Sequence, residues 1–108
     1  MNVINISEVF SNTPGGRYKD EGDFSGEEFR ESILLPEYEK VENTDNKLKI
    51  NFDNCFGFAT SFLEESFGGL VRKYKKKNVL SHIEIISNDD ETIPKLIRNY
   101  VEAAEKKI

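Results

Sequence analysis

Lys47-Leu48-Lys49-Ile50-Asn51-Phe52-Asp53, followed after a short turn by Phe58-Ala59-Thr60-Ser61-Phe62-Leu63-Glu64-Glu65-Ser66-Phe67-Gly68-Gly69-Leu70-Val71-Arg72, is the stretch that decides the fold. Leu48, Ile50 and Phe52 alternate with Lys49 and Asn51, the pattern of a strand with one buried face. Phe62, Leu63, Ser66, Phe67, Leu70, Val71 and Tyr74 then recur at helical spacing and make an apolar stripe wide enough to line a core. The segment predicts strand, tight turn and helix, with Thr60 and Ser61 at the helix start. Ser61-Phe62-Leu63-Glu64 has the form of a capping box. A phosphoryl group on either hydroxyl, adding about −1.5 to −2 charges, would also be accommodated by a helix N-terminus. The capping role and the phospho-acceptor role are compatible.

Working outward, Asn2 to Ile6 predicts a short strand with Ile4 and Ile6 on one side. Ser11-Asn12-Thr13-Pro14-Gly15-Gly16 predicts a turn, and Arg17-Tyr18-Lys19 a second short strand. Ser25-Gly26-Glu27-Glu28 opens a helix as a capping box, and Phe24 with Phe29 has the spacing of a hydrophobic staple. Phe29, Ile33, Leu34, Tyr38 and Val41 fall near one face. Pro36 predicts a kink or an end near Leu34, with Leu35 pushed out of helical geometry. Glu42 to Asn46 is a polar loop. Ile83 and Ile85 alternate with His82 and Glu84 in a further strand. The last helix is expected from about Thr92 to Lys107, with Pro94 in its first turn. Together these predict a single α/β domain over residues 1–108: a mixed four-stranded sheet, with an antiparallel pair at its start and about three helices mainly on one face. Polar residues recur on the second sheet face, which leaves that face to water or a partner.

Gly68 and Gly69 lie inside the strongest helix, where the pair costs about 2 kcal/mol against alanine. Two compensations are open. The glycines could pack closely against a neighbouring element, or they could expose bare backbone along a strip formed by Ser61, Glu64, Glu65, Gly68 and Arg72, where a partner could lie.

The chain has 108 residues, a formal charge of −5 and eight Phe and four Tyr, which suits a small folded domain. Its acidity disfavours non-specific attraction to nucleic acid or anionic membrane. The basic run Arg72, Lys73, Lys75, Lys76 and Lys77 matches a helix C-terminus. The first residues lack the basic start and apolar run of a signal peptide, and no window is long enough to span a bilayer. The single cysteine, Cys55, excludes an internal disulfide, and a cytoplasmic setting is expected. Chemistry is thinly represented. His82 is the sole histidine, no Cys/His cluster suits zinc, Asp20, Glu21 and Asp23 lack calcium-loop spacing, and Gly15-Gly16 lacks the Lys-Ser/Thr of a phosphate loop. No enzyme activity, cofactor or metal is therefore expected.

The run Phe56 to Arg72, together with Thr13-Pro14-Gly15-Gly16-Arg17-Tyr18, Phe24-Ser25-Gly26-Glu27-Glu28-Phe29-Arg30 and Glu84-Ile85-Ile86-Ser87, resembles the bacterial STAS-like domain family of unknown function. The resemblance covers most of the chain. More distantly, the architecture is similar to the anti-sigma-factor antagonists. Those proteins bind a histidine-kinase-like ATPase, which phosphorylates a serine at the start of the helix after a central strand. Thr60 matches that position best and Ser61 adjoins it, although Ala59 stands where the antagonists carry an Asp. The resemblance implies a regulatory protein-binding module. Its docking surface would comprise Gly57, Phe58, Glu64, Glu65, Gly68 and Arg72, with loop contacts from Arg17 and Tyr18. The partner would be another protein, such as a histidine-kinase-like ATPase, and the chain itself a monomer or weak dimer. Two alternatives stay open: a constitutive binder or inhibitor that is never modified, and a sensor of a small anion or nucleotide at the helix N-terminus.

Overall fold

The computed structural model describes residues 2–108. Strand β1 (Val3–Asn5) runs directly into a single helical turn, α1 (Ile6–Val9). A 3-10 turn follows at Lys19–Glu21. Helix α2 then spans residues 26–39, strand β2 covers Leu48–Asn51, and helix α3 spans residues 60–74. A second 3-10 turn (Val79–His82) leads into β3 (Ile83–Ile86), and α4 (Thr92–Glu105) closes the fold.

Among the described residues the sheet has three strands in the order β1-β2-β3, and both pairings are parallel. This corrects the expected mixed four-stranded sheet. The missing strand is Arg17-Tyr18-Lys19. The Glu21 carboxylate accepts hydrogen bonds from the backbone N–H groups of Arg17 (2.7 Å) and Tyr18 (3.0 Å), which curls this stretch into the 3-10 turn. A backbone whose donors are taken by a carboxylate four residues on cannot join a ladder.

Ile4, Leu48, Ile50 and Ile83 are buried on the inner sheet face, and Phe52 continues that row past β2. Phe62, Leu63, Phe67, Leu70 and Val71 of α3 meet them, as do Ile93, Ile97 and Val101 of α4, so the periodicity of both helices is realised as core. The opposite sheet face carries Val3, Asn5, Lys49, Asn51, Glu84 and Ile86, of which Lys49 and Glu84 are exposed.

Helix α2 starts where its cap signals place it. Ser25 Oγ accepts from Glu28 N at 3.0 Å, and Glu28 Oε1 accepts from Phe24 N at 3.0 Å. The rings of Phe24 and Phe29 do not staple directly; each packs on Phe10, at 5.4 and 5.3 Å between centroids. Pro36 does not break the helix, and Leu35 keeps helical angles. The turn before it, Arg30–Leu34, has π geometry, and the wider turn accommodates a ring that supplies no N–H. Helix α3 contains a matching π turn at Glu64–Gly68, and the two are in contact. The helices approach closely at Gly26, where a Cβ would lie 2.6 Å from the Phe62 carbonyl oxygen. Among the described residues no helix is long and apolar enough to cross a membrane.

Candidate protein-interaction site

The first part of the loop after β2 is tied by a set of hydrogen bonds. Asn51 Oδ1 accepts from Asp53 N at 2.9 Å and turns the chain out of the strand. The Asp53 carboxylate then reaches the loop after β3, accepting from Asn88 N (2.7 Å), Asp89 N (2.9 Å) and Asn88 Nδ2 (2.9 Å). In return, Asp89 Oδ2 accepts from Asn54 N at 2.9 Å. The Asp89 N–H is the largest influence holding the Asp53 carboxyl below its usual range; burial opposes it, and the two Asn88 donors add to the lowering. On its other side the loop is held to the residues after α1. Phe56 N donates to Asn12 O at 2.8 Å, and Cys55 Sγ lies 3.7 Å from Ser11 O. Burial, with the nearby Asp89 and Asp53 charges, pushes the Cys55 thiol up, away from a reactive thiolate.

Phe56 stands in this loop and is 83% exposed. Gly57 follows at φ 125°, a conformation that suits glycine, with open space where a Cβ would be. Phe58 then turns inward. Its ring packs on Phe52 at 4.9 Å and on Phe62 at 5.8 Å, so it belongs to the rim of the core and not to a free docking surface. Ala59 is the N-cap of α3, and no side chain caps it. The expected capping box at Ser61 is therefore absent. Thr60 and Ser61 lie inside the first turn, Thr60 exposed and Ser61 partly so. Neither hydroxyl has a hydrogen-bond partner among the described residues.

The expected strip along α3 is overturned at two positions. Gly68 is buried, because Arg72 folds back over it to pair with Glu64. A Cβ at Gly68 would overlap Glu64 Oε2 and lie 3.0 Å from Arg72 Nη1. Glu65 is only 7% exposed and faces inward, 2.5 Å from Arg30 Nη1. The same Arg30 nitrogen donates to the Glu65 backbone carbonyl at 3.0 Å. Arg30 itself is fully buried, and its Nε has no partner among the described residues. Gly69 makes this burial possible, since a Cβ there would overlap Arg30 Nη1 and lie 3.2 Å from Arg30 Cδ. Close packing against another element is thus the compensation at Gly69, whereas Gly68 is covered only by the Glu64 and Arg72 side chains of its own helix.

Arg17 crosses from the early loop to the same acids, with Nη1 2.5 Å from Glu64 Oε1 and 3.3 Å from Glu65 Oε1. Partial burial works to raise the Glu64 pKa, but the hydrogen bonds from Arg72 and Arg17 outweigh it and hold the carboxyl below its usual range. Arg17 is therefore engaged within the fold, whereas Tyr18 beside it is 47% exposed. The structure gathers Gly57, Thr60 and Ser61 at one end of α3 and removes Glu65 and Gly68 from the surface. It adds Phe56, which the sequence reading passed over. The signal available for Phe56 was an aromatic residue inside a turn next to glycine, where no periodicity assigns it to a core.

A family model described as a STAS-like domain of unknown function (DUF4325) matches residues 25–93, more than half of the chain. The chain belongs to that family. The match runs from the cap of α2 into the first turn of α4, so this STAS-like domain has both π turns, the Arg30–Glu65 pair and the Phe56 loop within its matched region. No curated protein and no solved structure gave a significant match.

Proposed function

We propose that this STAS-like domain is a non-catalytic regulatory module that binds another protein with the loop between β2 and α3. The observation that carries the reading is Phe56, a large apolar ring in water on a loop tied down by Asp53, Asn54 and its own backbone N–H. A loop whose backbone is held in place before binding loses less freedom on docking, and aromatic anchors of this kind dominate interface energetics. Gly57 lets a partner close against the backbone beside the ring. The likeness to anti-sigma-factor antagonists favours a histidine-kinase-like ATPase as the partner and Thr60 or Ser61 as acceptor. A phosphoryl group there would place a double negative charge beside the anchor and weaken docking.

Affinity purification of the tagged domain from its native cells, in parallel with Phe56→Ala, tests the docking. The expected result is a partner held by the parent chain and lost by the variant at an unchanged melting temperature. A partner kept by Phe56→Ala overturns the site. Intact mass after incubation with the captured ATPase and ATP tests the switch separately. A gain of one phosphoryl group that is lost in a Thr60→Ala/Ser61→Ala variant supports it, and an unmodified mass removes the switch while leaving the docking loop standing. Ala59, in place of the antagonists' Asp, favours a second reading in which the binder is constitutive. In that case Thr60→Asp leaves the affinity unchanged.

A further inference from the structure

We propose that the uncovered face of the sheet is a weak self-association surface, on which a second copy of this chain docks face to face. Purely parallel sheets are normally covered on both faces. Here the helices occupy one face and leave Lys49 and Glu84 exposed on the other, with Val3 and Ile86 half-buried beside them. Lys49 and Glu84 are register partners on adjacent strands, and Asn51 and Ile86 are register partners one row further along. Among the described residues neither Lys49 nor Glu84 takes part in an ion pair.

A pair of opposite charges side by side on two parallel strands is self-complementary about a two-fold axis. With the axis parallel to the strands and midway between β2 and β3, Lys49 lies over the second copy's Glu84, and Glu84 over its Lys49. The same operation sets Asn51 over Ile86. Aligned sheets pack about 10 Å apart, a gap that a lysine and a glutamate can bridge from opposite sides. The occupant favoured by this charge pattern is a second copy of the chain, because one lysine and one glutamate then satisfy both sides. The two four-residue strands that this axis superposes, about 4.8 Å apart, give a patch on the order of 100 Å². Stable partners bury about 800 Å² each, so the association is weak, concentration-dependent and weakened by salt.

Sedimentation of the intact domain from micromolar to millimolar concentration, at low and high salt, tests the proposal. The expected result is a monomer–dimer equilibrium at low salt. Lys49→Glu and Glu84→Lys should each raise the dissociation constant more than about tenfold by setting like charges opposite each other. The double exchange Lys49→Glu/Glu84→Lys should restore the parent value, because the two-fold then pairs the exchanged charges again. Melting curves of all the variants confirm that each is folded. A domain that stays monomeric up to millimolar concentration overturns the proposal. A dimer indifferent to both single reversals, or not rescued by the double exchange, also overturns it.

Discussion

Two adjacent glycines in one helix make opposite predictions because their neighbours differ. At Gly69 an added methyl meets a buried guanidinium that is held by Glu65. Gly69→Ala should therefore lower stability by about 1–3 kcal/mol in urea unfolding, in spite of the better helix propensity of alanine. At Gly68 the methyl meets only the ends of two flexible, partly exposed side chains, Glu64 and Arg72. These can swing away at the cost of a surface ion pair, so Gly68→Ala should change stability by less than about 1 kcal/mol. Equal losses at the two positions would refute this account. The buried pair itself gives a sharper contrast. Glu65→Gln leaves Arg30 charged in the interior with only the more distant Glu31 carboxylate, 3.7 Å from Nη2, and should cost up to about 3–5 kcal/mol, whereas replacing both Arg30 and Glu65 by methionine should cost much less. Urea midpoints of the single and double variants measure the difference.

At the scale of elements, the two long helices of the matched region begin differently, and that difference can be measured. Ser25→Ala removes the cap of α2 and should cost about 1 kcal/mol. Ser61→Ala should cost almost nothing, because Ala59 holds the cap position of α3. Ala59→Asp should raise stability by about 1 kcal/mol, since it supplies an acceptor where the helix has none. Acid should act through the clamps that join elements. Asp53 and Glu64 both titrate below their usual ranges in the fold. The stability that they contribute is fully present above about pH 4.5 and is lost as the pH falls through their lowered folded values. Melting temperatures followed down to acid should fall more gradually for Glu64→Gln than for the parent chain. The α2 cap and the core faces of α3 and α4 were legible in the sequence because each rests on spacing within one element. The fates of Arg17, Arg30 and Gly69 were not, because they depend on Glu64 and Glu65 of α3 meeting residues from other elements. The failure of the fourth strand had a local cause, the Glu21 carboxylate, but alternation alone cannot weigh a side-chain acceptor against a neighbouring strand.

At the scale of the molecule, a small parallel sheet with helices on one face has two open edges. Lys49 N donates to Asn2 O, so the even-numbered residues of β1 point their backbone groups at β2 and the odd-numbered ones point away. Amide exchange should therefore alternate along β1, with Ile4 protected and Val3 and Asn5 fast; uniform protection would mean that another strand covers this edge. The candidate site was only partly legible for a related reason. Thr60 and Ser61 could be placed at a helix start from sequence, but the firmness of the loop ahead of them depends on a carboxylate that crosses to the segment after β3. That crossing has a mechanical consequence. Asp53 ties the stem of the Phe56 loop to Asn88 and Asp89, a few residues ahead of α4. A load applied to the ring is thus shared with the root of the final helix, and a bound protein would hold two distant parts of the chain by a single lever.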